Sequence, residues 1–172
     1  WGNYLVSRAD VIGTTPAEKI AVFEEALGHY QTGLKHASFT RETGQLHFQR
    51  GKCLVTMAEH ETDPHRNREH YRQAISAFTE VAAIPTRANS TDLNSLWGVT
   101  LIKLGQLDRN PSQYREAIQR LTVALEKEPA DPSYNYNIAC AYARLRNAER
   151  AMHYLRICFE RSEEHTSELQ SQ

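Results

Sequence analysis

The sequence predicts an all-α chain of about four helical hairpins stacked in one array. Three observations carry this. Apolar residues return at i, i+4 and i+7, as in Ile138, Tyr142 and Leu145 and again in Ala151, Leu155 and Cys158, which makes one apolar stripe per helix. Small residues, among them Gly98, Ala117, Ala139 and Ala151, recur where two helices of a hairpin have to approach closely. No segment alternates as a strand. A single helix cannot bury such a stripe, whereas stacked hairpins bury each against the next.

Taken in order, the spacing predicts helices over 2–10 and 17–37, then 41–60 and 66–83, then 91–106 and 112–127, and last 132–145 and 148–160. The first hairpin carries Trp1-Gly2-x-x-Leu5 on one helix and Phe23, Ala26, Tyr30 and Gly33-Leu34 on the other. The second sets Gly51, Leu54 and Met57 against Ala74, Phe78 and Val81-Ala82. The third repeats the opening signature as Trp97-Gly98-x-x-Leu101 and adds Leu104-Gly105, Ala117, Leu121, Ala124-Leu125 and Pro129. The fourth has Asn137-Ile138-Ala139, Tyr142 and Leu145, then Ala151, Leu155 and Cys158-Phe159. From small residue to alanine the distance is 24, 23, 19 and 12 residues in the four hairpins, so the first three carry lengthened helices or loops on one edge. Those extra stretches contain Thr14-Thr15-Pro16, Thr62-Asp63-Pro64 and Arg109-Asn110-Pro111-Ser112, each a turn followed by a helix start with proline near the first helical position. Connections between hairpins are short and rich in breakers, over 38–40, 85–91 and 129–132.

These anchor residues are similar to the tetratricopeptide pattern W-x2-L-G-x2-Y, A-x3-F and a closing proline, and the resemblance covers almost all of 1–160. It implies a right-handed α-solenoid of about four tetratricopeptide-like hairpins, with repeats near 1–38, 39–87, 91–131 and 132–160. It also implies a protein-interaction scaffold that is not an enzyme and needs no cofactor. An alternative is the regulatory or sensor repeat region of a larger enzyme or signalling protein.

Composition agrees with such a role. Forty per cent hydrophobic and 24% charged residues fit a soluble protein of ordinary make-up. Twenty Lys and Arg against 21 Asp and Glu leave no strong field, which argues against nucleic acid or an anionic membrane as partner. Three widely separated cysteines, Cys53, Cys140 and Cys158, read as apolar packing in a reducing compartment, and point to the cytoplasm. The segment Arg161 to Ser171 resembles the translation of a common sequencing-library adapter, so 161–172 is set aside as a non-native tail. That tail carries a net −2 and leaves the rest of the chain near +1. With the next repeat replaced by this tail, Ile157, Cys158 and Phe159 are expected to be only partly covered, with no native-like packing on Leu169.

Candidate chemistry is sparse. His60, His65 and His70 recur every five residues, but metal ligands on one helical face want i, i+4, and Pro64 interrupts; the group reads as a solvated turn. Gly51-Lys52-Cys53 lacks the earlier glycine and the Ser or Thr of a phosphate loop. No cysteine has a base beside it, so no nucleophile is assigned. Asn89-Ser90-Thr91 satisfies the glycosylation triplet without a secretory signal to support it. Trp1 and Trp97 occupy equivalent places and read as repeat packing.

The resemblance places partner binding on the concave face formed by first helices. One residue back from each buried stripe turns about 100° around the helix and reaches that face. It selects Asn3 and Ser7; Gln49, Lys52 and Thr56; Leu96, Val99 and Lys103; then Asn137, Cys140 and Arg144, with Tyr136 flanking. The expected surface has an apolar centre at Val99 and Cys140 and cations at Lys52, Lys103 and Arg144, suited to a peptide or helix bearing a carboxylate. The family's chaperone-binding members hold two carboxylates with Lys, Asn, Asn, Lys and Arg. Asn3 and Asn137 match single members of that set, but Asp92 and Leu96 stand where basic and polar residues belong, so no clear chaperone carboxylate clamp is present.

Overall fold

The computed structural model describes residues 1–13, 15–38 and 40–170, with side chains except those of Asp10 and 163–170. Thr14 and Phe39, both assigned above to turns or links, and the Leu169 side chain lie outside the described residues. Eight helices are described: α1 Gly2–Ile12, α2 Pro16–His36, α3 Thr40–His60, α4 Pro64–Ala82, α5 Thr91–Asp108, α6 Pro111–Lys127, α7 Pro132–Arg144 and α8 Ala148–Gln170. The described residues contain no strand. They fall into two compact units, Trp1–Ala88 and Asn89–Gln172. In unit 1, α1 packs on α2, α2 on α3 and α3 on α4; in unit 2, α5 packs on α6, α6 on α7 and α7 on α8, with α5 also touching α7.

Four helices start the same way, with a polar cap followed by proline, whose missing N–H costs nothing at the first helical position. Thr15 forms a capping box with Glu18: the Glu18 amide donates to Thr15 Oγ1 at 3.2 Å and the Thr15 amide donates to Glu18 Oε2 at 2.9 Å. Asp63 accepts from the amides of His65 and Arg66, Asn110 from Ser112 and Asp131 from Ser133.

The hairpins repeat one close contact. A Cβ placed on Gly2 meets the Tyr30 ring at 2.9 Å, one on Gly51 meets Phe78 at 2.3 Å, and one on Gly98 meets Leu121 at 2.6 Å. In each hairpin the partner is the residue four after the alanine, namely Ala26, Ala74 or Ala117, and all three alanines are fully buried. The equivalence extends along whole helices. Leu93, Asn94, Trp97, Gly98 and Thr100 on α5 are buried, and so are Tyr134, Asn135, Ile138, Ala139 and Ala141 at the same places on α7. Even the buried asparagines correspond, each 1% exposed. The Asn94 amide donates to the Ser90 carbonyl at 2.9 Å, while the Asn135 Nδ2 makes no hydrogen bond among the described residues.

Two helix ends depart from expectation. After α5 and α7 the chain turns through Arg109 (φ 51°) and Arg146 (φ 58°), left-handed positions that glycine usually fills. Both sit in the same hydrogen-bonded turn, in which the Asn110 amide donates to the Gly105 carbonyl at 3.2 Å and the Asn147 amide to Tyr142 at 3.0 Å. A non-glycine residue there costs on the order of 1 kcal/mol. The other departure is α8, which continues to Gln170 rather than ending near 160. Phe159 is 66% exposed, and Ile157 and Cys158 are half-buried.

Candidate functional site

In unit 2, α5 and α7 run in register, so Val99 matches Cys140 and Lys103 matches Arg144. Val99, Lys103, Asn137 and Cys140 are half-buried, Arg144 is exposed and Tyr136 is 53% exposed. The correspondence rests on the shared burial pattern of the two helices, which also touch. Tyr136 lies one turn before Cys140. Interaction with the Cys140 thiol, with lesser contributions from burial and from Cys158 on α8, holds the Tyr136 hydroxyl above its ordinary pKa of 10. Cys140 and Cys158 are both free thiols.

Unit 1 presents Asn3, Gln49 and Lys52. Asn3 is exposed, but its Oδ1 accepts from the Tyr30 hydroxyl at 2.6 Å, so that oxygen already ties α1 to α2. Gln49 is half-buried and Lys52 exposed, and the Lys52 carbonyl accepts from the Thr56 hydroxyl at 3.2 Å. Cys53, next to Lys52, points the other way: it is fully buried, its thiol donates to the Phe23 carbonyl at 3.6 Å, and burial pushes its pKa up to about 12. That is a packing thiol and not a nucleophile.

Unit 2 is electrically polarised along its helices. Tyr134, near the start of α7, donates to Glu128 Oε2 at 3.1 Å. Its pKa is pushed up to about 12 by burial first, then by Glu128, Asp131 and Asp92 gathered around it. The opposite end carries exposed Arg109, Arg144, Arg146 and Arg150 against Asp108 and Glu149. On α6, Arg120 lies 3.6 Å over the Trp97 ring, a cation–π contact that holds α6 on α5 and accounts for Trp97 as packing.

The histidine-rich stretch is not the solvated turn expected above. His65 is exposed, but His60 is half-buried with its ring 5.6 Å from Phe23, and the His70 side chain is only 12% exposed. Glu61 is the reason. Its carboxylate is turned inward at 5% exposure, with Oε1 accepting from the Asp63 amide at 3.0 Å and Oε2 paired with Arg66 Nε at 3.0 Å. Arg66 also reaches Glu24 on α2 at 3.4 Å. His70 Nε2 stands 3.8 Å from Glu61 Oε2, and neither ring nitrogen makes a hydrogen bond among the described residues. Sequence spacing missed this because Glu61 and His70 meet only across the folded α3–α4 turn. Among the described residues no group of three or more His, Cys, Asp or Glu is placed to hold a metal ion.

Two half-buried histidines, His70 beside this turn and His47 on α3, make unit 1 acid-sensitive. Burial lowers the pKa of His70 and of His47 below 6.5, outweighing the attraction of Glu61 for His70 and of Glu80 for His47. The unfolded chain therefore takes up protons first as pH falls. Their stabilisation is full above about pH 6.5 and is lost as pH drops toward the folded-state values. Chemical denaturation between about pH 5 and pH 7 is expected to show stability rising with pH, and His70→Gln to flatten that slope.

None of the described helices is long and apolar enough to cross a membrane. No protein-family model matches the chain, and no curated protein matches it. Solved structures similar to it include MamA AMB-1, at 17% identity over 94% of this chain and 96% of that chain with a TM-score of 0.49. Another is YrrB, described as a TPR protein with an unusual peptide-binding site, at 16% identity over 97% of this chain and 89% of that chain with a TM-score of 0.41.

Proposed function

We propose that this chain is a protein-interaction module of the tetratricopeptide type, and that the α5/α7 face of unit 2 receives a peptide or helical segment of a partner protein. The observation that carries this reading is the register of α5 and α7. In that register Val99 and Cys140 would make an apolar centre, with Tyr136 and Asn137 on one flank and Lys103 and Arg144 on the other; each of the six is at least partly open to solvent. Such a face suits a segment that inserts an apolar side chain and places a carboxylate against the cations, with Asn137 pairing to its backbone. On unit 1 the corresponding positions are Asn3, Gln49 and Lys52, where Lys52 would put a charge at the place of Val99 and Cys140.

The test is selection from a displayed peptide library. The wild-type chain is expected to enrich peptides carrying a carboxylate near an apolar residue. Lys103→Glu combined with Arg144→Glu should leave the helical circular dichroism unchanged and remove that enrichment. Unaltered enrichment by the double variant would move binding away from the α5/α7 face.

A further inference from the structure

Among the described residues only Arg109 and Arg146 have positive φ, and no glycine does. Each follows a first helix of unit 2, and each is followed by an asparagine that caps the next helix: Asn110 Oδ1 accepts from the Ser112 amide at 3.0 Å, and Asn147 Oδ1 from the Arg150 amide at 3.1 Å. The Arg-Asn pair is thus built twice into the same left-handed turn. Glycine would adopt this conformation without the crowding that a Cβ brings. Keeping arginine there twice is accounted for when the guanidinium, and not the backbone, is what the turn requires.

Placement supports a shared role. α5 and α7 run parallel and touch, so both turns lie at one end of unit 2, on the order of 10 Å apart. Arg150 joins them from the first turn of α8. Its guanidinium is held by the Tyr142 hydroxyl, to which Nη1 donates at 2.9 Å, and lies 5.4 Å from that ring. Cations just past a helix C-terminus are favoured by the helix dipole, which covers Arg109 and Arg146. Arg150 stands at the positive end of α8, where the dipole opposes it. Helix electrostatics therefore do not account for the set.

We propose that this turn edge, carried by Arg109, Arg146 and Arg150, is a second docking surface that takes an acidic segment of a partner protein. The Tyr142 hydroxyl tethers Arg150, while Arg109 and Arg146 are exposed at the two turns, and the three cations outnumber Asp108 and Glu149 beside them, so a carboxylate-rich peptide meets several guanidinium donors suited to bidentate hydrogen bonds. Nucleic acid is the less suitable ligand, because a phosphate backbone with one charge per about 1.7 Å of duplex calls for a longer basic stripe. Arg144 stands at the same end but belongs to the α5/α7 face; the variants below leave it and Lys103 in place, so failure of either reading is read separately.

Fluorescence anisotropy of a fluorescein-labelled hexaglutamate peptide at low ionic strength, with an oligouridylate of equal charge as comparison, tests the proposal on the whole chain. The wild-type chain is expected to bind the peptide more tightly than the oligouridylate. Arg109→Gly with Arg146→Gly should weaken peptide binding about tenfold while the melting temperature stays level or rises, a combination that a merely structural role does not produce. Arg150→Gln, which leaves both turns intact, should weaken binding about threefold. Absence of wild-type binding, an unchanged affinity in the double variant, a fall in its melting temperature, or equal or tighter binding of the oligouridylate would each overturn the proposal.

Discussion

Gly98→Leu is expected to destabilise unit 2 by about 3 kcal/mol, seen as a lower denaturant midpoint. A Cβ alone at this position comes within 2.6 Å of Leu121 Cγ and 3.2 Å of the Ala117 carbonyl oxygen. Leu121 is fully buried and the carbonyl is helix backbone, so neither can yield without parting α5 from α6. The remaining leucine atoms deepen the conflict. Ser90→Ala is the control: Ser90 caps α5 without a side-chain hydrogen bond, so its loss should stay within about 0.5 kcal/mol. Equal mildness of both substitutions would mean that Gly98 is not the point of closest approach in its hairpin.

Phe78→Ala is expected to cost about 4 kcal/mol, through lost burial and the cavity left behind. Phe78 is fully buried, and its ring fills the space over Gly51, at 2.3 Å from where a Cβ would stand, while resting 6.3 Å from the ring of Phe48. The partnered change Gly51→Ala should be tolerated better in the Phe78→Ala background than alone, because the smaller side chain makes room for the methyl group. A double-mutant cycle measures that coupling, and strict additivity would contradict the contact.

The equivalence of Gly2, Gly51 and Gly98, and of Ala26, Ala74 and Ala117, was legible because close helix packing leaves a residue-size signature that needs no knowledge of neighbours. The helix starts were legible for a similar local reason: Thr15-Pro16, Asp63-Pro64, Asn110-Pro111 and Asp131-Pro132 each carry the cap and the proline in adjacent positions. Helix ends were harder. The spacing predicts a helix over 91–106, yet α5 runs on to Asp108 and ends at Arg109 in a left-handed turn that no residue-type signal marks.

The residues proposed for the α5/α7 face come from periodicity, since a one-residue step around a helix is fixed geometry. What side chains touch does not. Asn3 held by Tyr30, and Glu61 drawn inward beside Arg66 and His70, depend on rotamers and on elements distant in sequence. The solvated-turn reading of the histidines failed because Glu61, 5% exposed, draws Arg66 and His70 inward across a turn whose contacts spacing does not show.

Amide chemical-shift mapping tests the interaction face most directly. With a library-selected peptide titrated into the isotope-labelled chain, the largest shifts are expected at Val99, Lys103, Tyr136, Asn137 and Cys140, with smaller ones at Arg144. Shifts confined to α6 and α8, or to the turns at Arg109 and Arg146, with the α5/α7 face silent, would contradict it.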